Sequence, residues 1–154
     1  MSKAFTKEDA EGGVEPLPDR AISPHPNLVT AEGLRLIERT LAALERERSE
    51  AQTADEPDLL ARINRDLRYW LARRASAEPM PAPQDRGKVH FGSSVTIVRS
   101  DGRRQTWRIV GEDEADPKQG SLSYVSPLAR ALLGRGLGDE VRVAGSAAEI
   151  IHIE

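Results

Sequence analysis

Two apolar stripes dominate the first half of the chain. Leu34, Ile37, Leu41 and Leu44 recur at steps of three, four and three, and Leu60, Ile63, Leu67 and Trp70 repeat that rhythm. The spacing predicts two amphipathic helices with a coiled-coil seam. Charged residues such as Arg35, Glu38, Arg39, Glu45 and Arg46 fill the other faces of the first. Thr30 reads as its N-cap, and the helix should run to about Ala51. The break "TADEPD" offers a capping box from Thr53 to Glu56, with Pro57 where an early helical position tolerates proline. Matching stripes joined by a short polar link predict an antiparallel helical hairpin, each arm about 30 Å long, with Trp70 sealing its base or middle.

After "EPMPAPQDRGK", where three prolines forbid helix and favour extended backbone, the apolar period changes from helical to alternating. Val89, Phe91, Val95, Ile97 and Arg99 read as strand, Ser100-Asp101-Gly102 as a hairpin turn, and Thr106 to Val110 as the returning strand. Leu122 and Tyr124 suggest a third strand. Ser126-Pro127 is a hydroxyl cap followed by proline at the first helical position, so "LARALL" reads as a short helix stopped at Gly134. Val141 and Val143, then Ile151 and Ile153, give two more strands around "AGSA". The fold class is therefore α+β: an N-terminal antiparallel helical hairpin followed by a small antiparallel β-sheet domain carrying one short helix. Ahead of the hairpin the composition is acidic and turn-rich, with prolines at 16, 18, 24 and 26. Residues 1–28 are thus expected to be a disordered tail, with Ile22 and Leu28 as candidate anchors. The layout is tail 1–28, hairpin 29–78, linker 79–88 and β domain 89–154.

Composition narrows the function classes. A formal charge of −3 lacks the basic field that sequence-independent nucleic-acid binding uses, which favours a protein partner. No cysteine is present, so disulfides and thiolate metal sites are excluded. No run reaches membrane-spanning length and no signal-type segment opens the chain, so the expected location is the cytoplasm. His25, His90 and His152 fall in different elements and make a poor metal or nucleophile set. Gly134, Gly136 and Gly138 in "GRGLGD" follow a helix and lack the lysine of a phosphate loop; they read as a helix stop and turn.

Two carboxylate clusters remain. Asp55, Glu56 and Asp58 stand at the hairpin tip, where helix-start acids also favour the macrodipole. Glu112, Asp113, Glu114 and Asp116 crowd the loop "GEDEADPKQG", and their density predicts solvent exposure. That loop suits either docking on basic side chains or a solvated turn with Asp116 capping local backbone. Arg130 and Arg135 are candidate contact residues on the surface.

The segments "VHFGSSVTIV", "RIVGEDEADPKQGSLSYVSPLARALLG" and "LGDEVRV" resemble the C-terminal domain of the bacterial GreA/GreB transcript-cleavage factors. "NLVTAEGLRLIERTLAALERE" is similar to the start of their N-terminal coiled coil. The resemblance covers about Asn27 to Glu154. It implies an FKBP-like fold for the β domain, docking on the rim of the RNA polymerase secondary channel, and a hairpin that enters the channel. It further implies that the acidic loop faces polymerase, with Arg130 as a candidate contact beside it, and that any catalytic Mg2+ belongs to polymerase rather than to this chain. Family members carry a tip loop of the form Gly-Asp-x-x-Glu-Asn-Ala-Glu-Tyr, which is missing here. The hairpin is also shorter by roughly ten residues per helix, about 15 Å of reach. The expectation is a polymerase-binding regulator without efficient cleavage and with no enzymatic activity of its own. The alternatives are a true cleavage factor using Asp55, Glu56 and Asp58, or a regulator of the Rnk type, described as acting on nucleoside diphosphate kinase. A peptidyl-prolyl isomerase ranks last, because six aromatics in all are too few for an aromatic-lined proline pocket.

Overall fold

The structure is a computed structural model that describes residues 16–154. Helix α1 spans Ala31–Thr53 and α2 spans Pro57–Ser76. Thr30 caps α1 as its hydroxyl chemistry dictates: Gly33 N donates to Thr30 Oγ1 at 3.0 Å and Leu34 N to Thr30 O at 3.0 Å. Ile37, Leu41, Ile63 and Leu67 from the two stripes are buried and Leu34, Leu44, Leu60 and Trp70 half-buried, while Arg35, Glu38, Arg39, Glu45 and Arg46 on α1 face water. The fully buried cation of this region, Arg73, lies on α2.

The link between the helices departs from expectation. Thr53 does not open a capping box; its hydroxyl donates back to Ser49 O inside α1. Instead Glu56 N donates to Ala51 O at 3.0 Å and Asp55 N to Gln52 O at 3.3 Å, while Asp55 takes φ 54°. This is a Schellman closure, the pair of bonds that satisfies the last carbonyls of a helix, with aspartate where glycine is usual. Glu56 then starts α2, accepting from Leu60 N at 2.9 Å, and Pro57 occupies the first helical position. The helix-end closure wins over the capping box because it satisfies α1 carbonyls that would otherwise be orphaned.

The β domain is a five-stranded sheet in the order β5-β4-β3-β7-β6, with β3 Ser94–Arg99, β4 Arg104–Val110, β5 Ser121–Ser123, β6 Glu140–Val143 and β7 Ser146–Ile153. Three pairings are antiparallel; the edge strand β5 lies parallel to β4, so the sheet is mixed. The crossover through the acidic loop and a 3-10 turn at Pro117–Gln119 forces that direction, since it brings the chain back to the same end of β4. A bulge opposite Thr96/Ile97 skips Ile151, and lets Ile150 and Ile153 both face inward. Helix α3, Pro127–Leu132, begins at Ser126, whose Oγ accepts from Ala129 N at 3.3 Å. Val95, Ile97, Ile109, Leu132 and Ile150 form the centre of the core, each fully buried aliphatic contributing about 1.5–3 kcal/mol relative to exposure.

Val89 and Phe91 are not strand residues. Val89 is buried at the edge of the core and exchanges backbone bonds with the loop after α3: Val89 N donates to Arg135 O, and Gly134 N donates to Val89 O. The linker and tail boundaries also change. Leu28–Val29 (β1) and Glu78–Pro79 (β2) pair in parallel as a two-residue ribbon, so both the end of the expected tail and the start of the expected linker are ordered. Tyr124 donates its hydroxyl hydrogen bond to Pro26 O. By compactness the described residues divide into one unit of residues 25–36 with 77–154 and another of residues 16–24 with 37–76. Of the expected tail, residues 1–15 lie outside the described residues. Within 16–28, Leu17, Asp19, Arg20 and Pro26 make bonds to residues far along the chain, while Ile22, expected as an anchor, is exposed and Leu28 is half-buried.

Candidate functional site

The tip carboxylates sit where the backbone needs special residues. Asp55 is the left-handed closing residue of α1, Glu56 leads into α2 and Asp58 lies in the first turn of α2; all three are exposed. Aspartate tolerates the left-handed region better than most residues because its short side chain can bond locally. Glu56 and Asp58 complement the positive end of the α2 dipole. The tip turn is only Ala54, Asp55 and Glu56. Among the described residues no cluster of three or more His, Cys, Asp or Glu side chains has the geometry to hold a metal ion.

The acidic loop behaves differently, and the expectation of wholesale solvent exposure fails there. Glu112, Asp113 and Glu114 are half-buried; Asp116 is exposed. Glu114 turns inward onto the start of α1. Its Oε2 accepts from Thr30 N at 3.0 Å and from Gly111 N at 3.2 Å, and its Oε1 accepts the Thr30 hydroxyl. The carboxylate thus satisfies orphan donors at a helix N-terminus, the place where backbone N–H groups and the helix dipole favour an anion. Two glycines make room for it. A Cβ on Gly33 would lie 2.1 Å from Glu114 Oε2, and a Cβ on Gly111 would lie 2.3 Å from the backbone oxygen of Leu28. Sequence inspection missed this clasp. The available signal was Gly33 itself, because glycine in a helix costs about 1 kcal/mol against alanine and so marks a close approach.

Asp116 caps the 3-10 turn: its Oδ1 accepts from Lys118 N at 3.2 Å, and its backbone N donates to Ser121 Oγ at 2.8 Å. The local-backbone role is therefore occupied, while the residue remains accessible. Beside the clasp, Glu32 is held below the usual carboxylate range, first by the backbone amide at the helix start, then by the Arg108 guanidinium 3.4 Å away. Arg130 is exposed on α3, and Arg135 is exposed in the loop that follows.

The histidines stay apart. His90 Nε2 lies 2.9 Å from Asp85 Oδ2, and that bond, with a second from Gly87 N, lowers the Asp85 carboxyl. His152 is 3.9 Å from Glu154. No helix among the described residues is long and apolar enough to cross a membrane.

Residues 83–154 match the family model for the C-terminal domain of the transcription elongation factor GreA/GreB. Transcription elongation factor GreA of Hyphomonas neptunium is 57% identical over 61 residues, 39% of this chain and 39% of that protein. GreA of Desulfovibrio desulfuricans is 34% identical over 134 residues, 75% of this chain and 83% of that one. Among solved structures, the GreA factor homolog 1 protein of Thermus thermophilus aligns with 84% of this chain and 99% of its own, at 19% identity and a TM-score of 0.41. With a helical hairpin ahead of the matched β domain and identity sustained over three quarters of its length, the chain belongs to the GreA/GreB family of transcription elongation factors.

Proposed function

We propose that this protein binds bacterial RNA polymerase in the cytoplasm at the secondary channel and regulates transcription without stimulating efficient transcript cleavage. The observation that carries the reading is the length of the hairpin. Helices of 23 and 20 residues extend about 30–35 Å, and they are joined by a tip turn with no space for the family's carboxylate loop. The β domain supplies docking, with exposed Asp116 and Arg130 as contact charges, Glu112 and Asp113 flanking them, and Glu114 committed to the helix start. The protein brings no metal or cofactor of its own; Mg2+ in such a complex belongs to polymerase.

The competing reading, a cleavage factor acting through Asp55, Glu56 and Asp58, is favoured by one observation: all three are exposed at the tip. One assay separates them. Backtracked elongation complexes incubated with the protein should show no acceleration of RNA cleavage, while the protein displaces a GreA factor from polymerase. Accelerated cleavage that disappears on changing all three acids to alanine establishes the competing reading. Failure to displace GreA removes both.

A further inference from the structure

Strand β6 closes the sheet at the edge opposite β5, and the turn that joins it to β7 fixes which of its backbone groups face outward. That loop is two residues, Ala144 at φ 51° and Gly145 at φ 78°. Positive φ at both positions is the type I′ turn, which closes on a hydrogen-bonded pair, here Val143 and Ser146. Hydrogen-bonded pairs alternate along an antiparallel ladder, so Val141 also bonds to β7. Ile150 N donating to Asp139 O at 2.9 Å continues the alternation two residues further back. The N–H and C=O groups of Glu140 and Arg142 therefore point away from β7. Among the described residues neither finds a backbone partner on that side.

The side chains of the strand carry a second pattern. In Glu140-Val141-Arg142-Val143 the valines turn to the core side, Val141 buried and Val143 half-buried, while Glu140 and Arg142 are exposed on the other face. Neither charge has an ion pair among the described residues, and Glu140 lies directly opposite Glu149, an unfavourable cross-strand pair. Laid antiparallel on a second β6 and centred on Val141, the strand sets Glu140 against Arg142 of the second copy and Arg142 against Glu140 of the second copy. In that register the outward backbone groups also meet as hydrogen-bonded pairs. The opposite edge has no such complementarity. β5 is Ser121–Ser123, and the hydroxyls of Ser121 and Ser123 accept from Asp116 N and Val125 N of their own loops. We propose that β6 is a self-association edge, where two copies of this chain join β6 to β6 about Val141 into one continuous sheet, each Glu140 paired with the other copy's Arg142. An unpaired strand edge is a ready template for such pairing, and the join gives Glu140 a cation that offsets Glu149. A strand of 4 residues buries far less than the roughly 800 Å² per partner of a standard interface. The association should therefore be weak and appear only at high protein concentration, and it does not depend on polymerase binding.

Charge reversal tests the register as well as the existence of the dimer. In sedimentation velocity on the full chain at rising concentration, the parent should pass from monomer to dimer. Glu140→Arg and Arg142→Glu should each raise the dimer Kd about tenfold or more, because like charges then face each other across the axis. Mixing the two variants in equal amounts should restore the dimer, since each copy supplies the charge the other lacks. Glu140→Arg also places a cation opposite Glu149 within its own chain, so its loss of dimer should come with a urea midpoint no lower than the parent's. A parent that is monomeric at every concentration overturns the proposal and leaves the edge to a strand of a different protein. Variants that still dimerise alone, or a mixture that stays monomeric, overturn it equally.

Discussion

The two carboxylate clusters look alike in sequence, and the backbone uses them in opposite ways. At the tip, Asp55, Glu56 and Asp58 point into water around a helix closure that needs only their backbone conformations. In the loop after β4, Glu114 is folded under the start of α1 with both oxygens engaged, and Asp116 holds a 3-10 turn. Acid density therefore says little about exposure. What differs is the partner: Glu114 reaches the start of a helix 84 positions away and is half-buried there, whereas the tip acids stand exposed at the start of α2. The tip acids contribute no more than the modest helix-dipole term of exposed charges, while Glu114 and Asp116 are structural.

The sharpest way to break this contrast is Gly111→Ala. The added Cβ collides with the Leu28 carbonyl, which cannot rotate away as a side chain would, so a loss of about 2–4 kcal/mol is expected in urea unfolding. Glu114→Ala comes next. It strands the Thr30 and Gly111 amides, and should cost about 2–3 kcal/mol, whereas Glu114→Gln, keeping one acceptor, should cost less than half of that. Asp116→Ala should cost about 1 kcal/mol, the usual worth of a cap. Asp55→Gly sharpens the comparison from the other side. Glycine suits φ 54° better than aspartate, so the variant should gain a few tenths to about 1 kcal/mol. A large loss there would mean the tip acid is as structural as Glu114.

The smallest effect concerns pH. Glu32 is lowered in the folded state relative to its ordinary 4.5, so the stability it contributes is present above that value and is lost as pH falls through the folded pKa. Glu32→Gln should flatten the acid limb of a stability profile below about pH 4.5 and leave neutral pH nearly unchanged. A variant profile parallel to the parent's through that range would show that the helix start and Arg108 add nothing.

The hairpin was legible because its signal is local and repeated: of the eight positions the three-four rhythm marks, Ile37, Leu41, Ile63 and Leu67 are buried and Leu34, Leu44, Leu60 and Trp70 half-buried. The Thr30 and Ser126 caps were equally readable, each being one hydroxyl beside the helix it starts. The features that escaped share a different character. The β1–β2 ribbon has two residues per strand, too few for alternation to register, and its halves lie fifty positions apart. Glu114 meets Thr30 across 84 positions and Arg68 meets Leu17 across 51. Such pairs leave no periodic trace. The parallel edge of the sheet was hidden for the same reason, since β5 is three residues long and its partner direction depends on the loop before it.

The unit built from residues 25–36 and 77–154 makes the hairpin, in topological terms, an insert. Its two ends are anchored within one body, at the capped start of α1 and at the ribbon strand that follows α2. Adding equal numbers of whole turns to both helices alters neither anchor. The entropic cost of a longer insert grows only with the logarithm of its length, roughly 0.6 kcal/mol per doubling. Reach is thus a quantity this architecture can vary almost independently of the fold that carries it. A chain with three turns grafted onto each helix would convert the question of what a short arm does into a graded series, with arm length as the only variable.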